Sequence, residues 1–105
     1  MKRILIFSLL TSFFLLSSCG NNVTITTPQK DAEKCEKLLN NCNSLREIDK
    51  AEAIINKYHR AYEKAIYKGK ITGPQYQEFL MNAPNDYQIE GVRAYVIEFG
   101  YGPNH

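Results

Sequence analysis

From residue 28 onward, apolar side chains recur at helical rather than strand spacing. Ala32, Cys35, Leu38, Leu39 and Cys42 share one face of a helix opened by Thr27-Pro28. The threonine stands at the N-cap and the proline at the first helical position, where its missing N–H is harmless. A second series, Ile48, Ala51, Ile55, Tyr58, Tyr62 and Ala65, steps by three and four in turn. Between the two series, Cys42, Leu45 and Ile48 step by three and three where a four is due, so the stripe slips by one residue. The slip coincides with the turn formers Asn40-Asn41-Cys42-Asn43 and with Ser44-Leu45-Arg46-Glu47, an S-x-x-E capping box. Two helices are expected, about 28–40 and 45–68, with one long kinked helix as the alternative.

Gly69 is placed to take the left-handed conformation that ends the second helix, with lysines at the negative end of its dipole and Ile71 folding back. Thr72-Gly73-Pro74-Gln75 is a further capping box and starts a short helix with Tyr76, Phe79 and Leu80 on one face, ending before Pro84. Residues 85–99 admit two readings. In the first, Asn85-Asp86 caps a helix with Ile89, Val92, Val96 and Phe99 inward. In the second, the β-branched residues of 92–99 form a strand, for which Val23–Thr27 is the sole partner, and a two-stranded sheet is marginal. The helix is preferred, although Gly91 weakens it by about 1 kcal/mol. The expected fold class is therefore mainly α, a small helical hairpin or bundle over residues 28–99 after a flexible N-terminal tether. The alternative is α+β with a short strand pair from 23–27 and 92–99. Residues 100–105 are expected to fray.

The N-terminal 18 residues break this rhythm. Lys2-Arg3 is followed by a largely apolar run from Ile4 to Leu16. That run is too short for a comfortable bilayer crossing, which needs about 20 residues, and suits a cleaved signal peptide. Its end, Leu16-Ser17-Ser18-Cys19, resembles the lipobox of bacterial lipoprotein precursors. The resemblance implies cleavage before Cys19, a diacylglycerol on its thiol and acylation, commonly with palmitate, of its new amine. Residues 1–18 would be the signal peptide and 19–27 a lipid-anchored tether. Two or three acyl chains hold firmly, since each buried methylene contributes about 0.8 kcal/mol. Gly20 stands where an aspartate favours inner-membrane retention in enterobacterial lipoproteins, so the resemblance leans towards the outer membrane, facing the periplasm or the cell surface.

Removal of the signal leaves 11 basic and 11 acidic residues in about 87. A neutral chain without a basic block argues against nucleic acid as a partner. Charge is nevertheless uneven: residues 28–70 carry ten positives and seven negatives, residues 71–105 one and four. The two parts are expected to attract each other within the fold or between copies.

Cys35 and Cys42 are the disulfide candidate. On one straight helix their Cα atoms would lie roughly 10.5 Å apart, beyond the 7 Å limit. If the chain turns at Asn40-Asn41, an intrachain bridge staples two short helices and contributes about 2–4 kcal/mol. Two buried free thiols and an intermolecular bridge are the other readings. His59 has Glu63 four residues on and reads as a surface histidine beside a carboxylate. No Gly-rich phosphate loop, nucleophile elbow or metal-ligand spacing is present, so no enzyme, metal or cofactor is expected. All seven tyrosines follow the signal. Tyr58 and Tyr62 lie on the inward stripe. Tyr67, Tyr87, Tyr95 and Tyr101 are the binding candidates, because exposed tyrosines offer large contact area at low entropy cost.

Lys68-Gly69-Lys70-Ile71-Thr72 followed by Tyr76 and Phe79 resembles the SHOCT helix–turn–helix, over residues 58–81. That resemblance implies oligomerisation. Gly73-Pro74-Gln75 replaces the acidic residues usual after the threonine in that family. The sequence thus points to a lipid-anchored envelope protein that acts as a non-enzymatic binding module, its partner an envelope protein or itself. A protective lipoprotein, giving toxin immunity or excluding phage or plasmids, is the alternative.

Overall fold

The computed structural model describes residues 23–105, so the expected signal peptide, Cys19 and Gly20 lie outside the described residues. Four helices follow one another: α1 (Pro28–Asn40), α2 (Leu45–Tyr67), α3 (Gly73–Asn82) and α4 (Asp86–Phe99). The protein is mainly helical, and no strand forms among the described residues. The strand pair of 23–27 with 92–99 does not form. Residues 92–99 belong to α4, whose first turn is closed by a reciprocal capping box between Asn85 and Gln88.

Local chemistry sets the boundaries. Thr27 accepts a hydrogen bond from the Lys30 amide and Ser44 from the Glu47 amide, each satisfying a helix donor that would otherwise be orphaned. Glu47 does not return the bond to its own cap. Its carboxylate accepts from the Asn43 amide, one residue further out. At the end of α2, Gly69 has φ 72°. Its amide donates to Ile66 O, and the Lys70 amide donates to Ala65 O, closing a left-handed glycine cap. Gly100, at φ 81°, ends α4 in the same hand.

Contacts at three levels fix the run of α4 along α2. His59 meets Pro84, Arg93 meets Asp49 and Glu52, and Gly102 meets Asn43, so the two helices are antiparallel. Helix α1 is antiparallel to α2 as well, its first turn joined to the late part of α2 through Asp31 and Tyr62. The core is assembled from the α1 and α2 stripes (Cys35, Leu39, Ile48, Ile55, Tyr58, Tyr62) with Phe79 of α3 and Ile89 and Val96 of α4. Phe79 stacks on Tyr62 with ring centroids 4.1 Å apart and planes at 6°. Burying such a side chain contributes about 1.5–3 kcal/mol, so this pair ties the short α3 to α2, while α3 also packs on α1. Val92 is only half-buried and Phe99 is exposed, so the inward face of α4 is shorter than its periodicity suggested.

The ends are less free than expected. Val23 and Ile25 pack against the core, and Thr26 bonds Asp31 through both its amide and its hydroxyl at 2.8 Å. The part of the tether from Val23 onward is therefore docked. The tail returns to the α1–α2 connection, where the Gly102 amide donates to Asn43 Oδ1 at 2.9 Å.

Candidate functional site

Cys35 and Cys42 are both buried free thiols. The bridge between them does not form, because the chain does not reverse where a staple would need it to. Helix α1 continues through Asn40, and the Asn41 and Cys42 amides still donate backwards to Lys37 O and Leu39 O. Seven residues of near-helical chain separate the sulfurs by a rise of roughly 10 Å. The Cys42 thiol donates to Leu38 O at 3.1 Å instead. Burial, with a smaller contribution from the nearby Asp31 charge, pushes the Cys35 thiol up to about 11. Burial also raises Cys42, assisted by Glu47. Neither thiol is a ready nucleophile near neutrality.

His59 is not a surface group beside Glu63. It is half-buried, its ring edge-on to Phe79 at 5.1 Å, with Nε2 at 3.4 Å from Pro84 O. The ring wedges the α3–α4 connection against α2. Among the described residues no group of three His, Cys, Asp or Glu side chains is placed to hold a metal ion.

The four candidate tyrosines divide by position. Tyr67 (92% exposed) and Tyr87 (89% exposed) stand on different helices, each outside any aromatic cluster. Tyr95 and Tyr101 are brought together. With Phe99 they form a ring cluster at the C-terminal end of α4, Tyr95 to Phe99 at 4.5 Å and Phe99 to Tyr101 at 6.3 Å. His105 stacks on Tyr101 at 4.5 Å. Phe99 stays 51% exposed and Tyr101 40% exposed. The left-handed Gly100 reverses the chain and lays Tyr101 beside the helix it has just left, so the cluster is built by a cap rather than by helical spacing alone.

Beside the cluster a shallow cleft of about 300 Å³ opens between α1 and α4, with Leu39, Pro84, Val92 and Tyr95 in its walls. Gly91 lines it as well, and nothing lies within 4 Å of where its Cβ would stand. The glycine leaves room above the helix. Glu36, Asn40 and Gln88 also line the cleft, so its walls are mixed, and aromatic rings next to such a cleft make a surface that another chain can cover. No nucleophile–base pair is assembled there.

Two polar groupings escaped the sequence reading. Asp31 is buried, with Tyr62 donating its hydroxyl to Oδ2 at 2.6 Å in addition to the two bonds from Thr26. Burial, with this hydrogen bond second, holds the Tyr62 phenol well above its ordinary value. Arg93 reaches Asp49 at 2.7 Å, Glu52 at 3.0 Å and Glu90 at 3.2 Å. The hydrogen bond to Asp49 is the main cause of its raised pKa. The charge asymmetry therefore acts in the opposite sense to the one expected. The lone cation of the acidic part pairs with acids of the basic part. The only large feature the sequence offers for Asp31 is its place in a first helical turn, which is equally common on an exposed helix.

Comparison with protein families, with curated proteins and with solved structures finds no match for this chain.

Proposed function

We propose that this chain is a cell-envelope protein anchored by lipid on Cys19, whose helical domain binds another protein without catalysing a reaction. The lipobox at Leu16–Cys19 supports the anchor, and Gly20 favours the outer membrane as its site. The observation that carries the binding role is the cluster of Tyr95, Phe99 and Tyr101 beside the α1–α4 cleft. Aromatic side chains are the usual anchors of interfaces, because they bury much area while few rotatable bonds are frozen. The partner is an envelope protein or a second copy of the chain.

Photocrosslinking in intact cells tests this. A benzophenone amino acid at position 99 should yield one adduct of discrete mass, and the same group at position 67 should yield none. An adduct of twice the chain mass identifies self-association, and any other mass identifies a foreign partner. Crosslinking from 67 alone, or from neither position, overturns the assignment. The anchor is read separately from the mass of the N-terminal tryptic peptide, in which an unmodified Cys19 overturns it.

A further inference from the structure

Helix α2 and its C-cap residue Lys68 carry a row of cations that the fold leaves without carboxylate partners. Lys57, Arg60, Lys64 and Lys68 are spaced three, four and four, and so form one ridge. Every ion pair among the described residues belongs to Arg93. With Lys70 the ridge rims an open groove of about 430 Å³. Its remaining wall is apolar: Ala61 and Ala65 of α2, and Val23 and Ile25 of the N-terminal segment. No acidic residue lines it. Lysines in the last turn complement the helix dipole, which accounts for Lys64 and Lys68. The dipole does not account for Lys57 and Arg60, which lie two to three turns before the end of α2.

The groove is partly walled by the segment that runs to Cys19. Three residues lie between Cys19 and Val23, so their Cα atoms are at most about 14 Å apart. The Debye length at physiological salt is about 8 Å, so the anchored groove feels the headgroup charges once these linking residues are less than fully extended. Basic residues next to a lipid anchor supply a second attachment to anionic membranes.

We propose that this groove binds the headgroup of an anionic phospholipid, the cationic rim on the phosphate and the apolar wall on the glycerol and first methylenes. The proposal extends the lipid-anchored reading above and assigns the lipid-facing side of the domain. An acidic peptide satisfies the rim but leaves the apolar wall unused, and so does inorganic phosphate.

The full chain, purified from membranes in a neutral detergent, is titrated separately with dihexanoyl-phosphatidylglycerol, its phosphatidylcholine counterpart, inorganic phosphate and polyglutamate. Thermal unfolding is followed by circular dichroism. Phosphatidylglycerol should raise the Tm by several degrees and saturate, whereas phosphatidylcholine should not. The double variant Lys64→Gln/Lys68→Gln should weaken that binding about thirtyfold, while Lys34→Gln/Lys37→Gln binds as wild type. Arg60→Gln, a single exposed change, should weaken it about fivefold and serves if the double variant is misfolded.

Equal stabilisation by phosphate or polyglutamate overturns the lipid assignment, as does equal binding by the groove variants. The mass of Cys19 in the same sample separates the two readings. An unmodified Cys19 with specific phosphatidylglycerol binding removes the anchor and leaves the groove. An acylated Cys19 with no phosphatidylglycerol response removes the groove and leaves the anchor.

Discussion

Gly102 has no room for a methyl group. A Cβ built there would sit 1.8 Å from Cys42 O, a backbone atom that cannot rotate aside. Gly102→Ala must therefore push the tail off the α1–α2 connection and break its bond to Asn43. The expected loss is about 1–3 kcal/mol, the usual range for overpacking. Hydrogen exchange should quicken at the Gly102 amide while the amides of α2 lose only the global share. Cys35 gives a second residue-level test, through pH. Its folded value of about 11 lies above the ordinary 9.0, so the folded state keeps a proton that the unfolded state releases. Stability from this group is complete below pH 9 and is lost as pH rises through 11. The full effect is on the order of 3 kcal/mol. Chemical denaturation in this window should show a shallower fall for Cys35→Ala than for wild type. Equal slopes would mean that the thiol is hydrated.

At the scale of elements, Arg93 is the one side chain that ties α4 to α2 by charge. Its partners Asp49 and Glu90 are largely exposed, so solvent screens much of the attraction. Arg93→Gln should lower stability by about 1 kcal/mol, and the difference from wild type should shrink in high salt, as denaturant melts can show. A salt-independent loss would place the effect in the packing of the arginine stem instead. The helices themselves were legible, because their ends are written in short-range chemistry: Thr27-Pro28, Ser44, Thr72 with Gln75, Asn85, and the glycines at 69 and 100. Ile48, Ile55, Tyr62 and Phe79 were legible too, as stripes. What joins one helix to another was not. Arg93 is four residues from no acid of α2, and nothing local marks Asp49 and Glu52 as its partners. The missing disulfide shares this cause, since a cysteine pair seven apart bridges only if α1 stops early. Helix α1 does run to Asn40 as its spacing predicts, and the backward-directed amides of Asn41 and Cys42, which spacing does not report, keep the two thiols apart. The aromatic cluster was half legible: Tyr95 and Tyr101 were singled out, but their convergence on Phe99 needs the left-handed turn at Gly100.

Across the whole molecule, the two ends of α2 carry different surfaces. Its C-terminal half bears the basic groove and the docked tether, while its N-terminal end lies beside the returning tail and the aromatic rings. Helix α2 is 23 residues long, which spans about 34 Å. A domain anchored through Cys19, as proposed, would be held at one end of α2 and offer its aromatic surface at the other. This polarity depends on the tether being fixed to the core, and Asp31 does the fixing: it joins Thr26 of the tether to Tyr62 of α2. Tyr62→Phe removes the single bond that binds this carboxylate to α2 while keeping the ring stacked on Phe79. The carboxylate stays buried with one partner fewer, a loss of about 1–3 kcal/mol. Asp31→Ala removes the whole junction. Residues 23–27 should then exchange their amide hydrogens and become open to proteases while α2 and α3 stay protected. If the tether remains protected in Asp31→Ala, Val23 and Ile25 hold it by apolar contact alone, and Asp31 serves only to satisfy the Tyr62 hydroxyl.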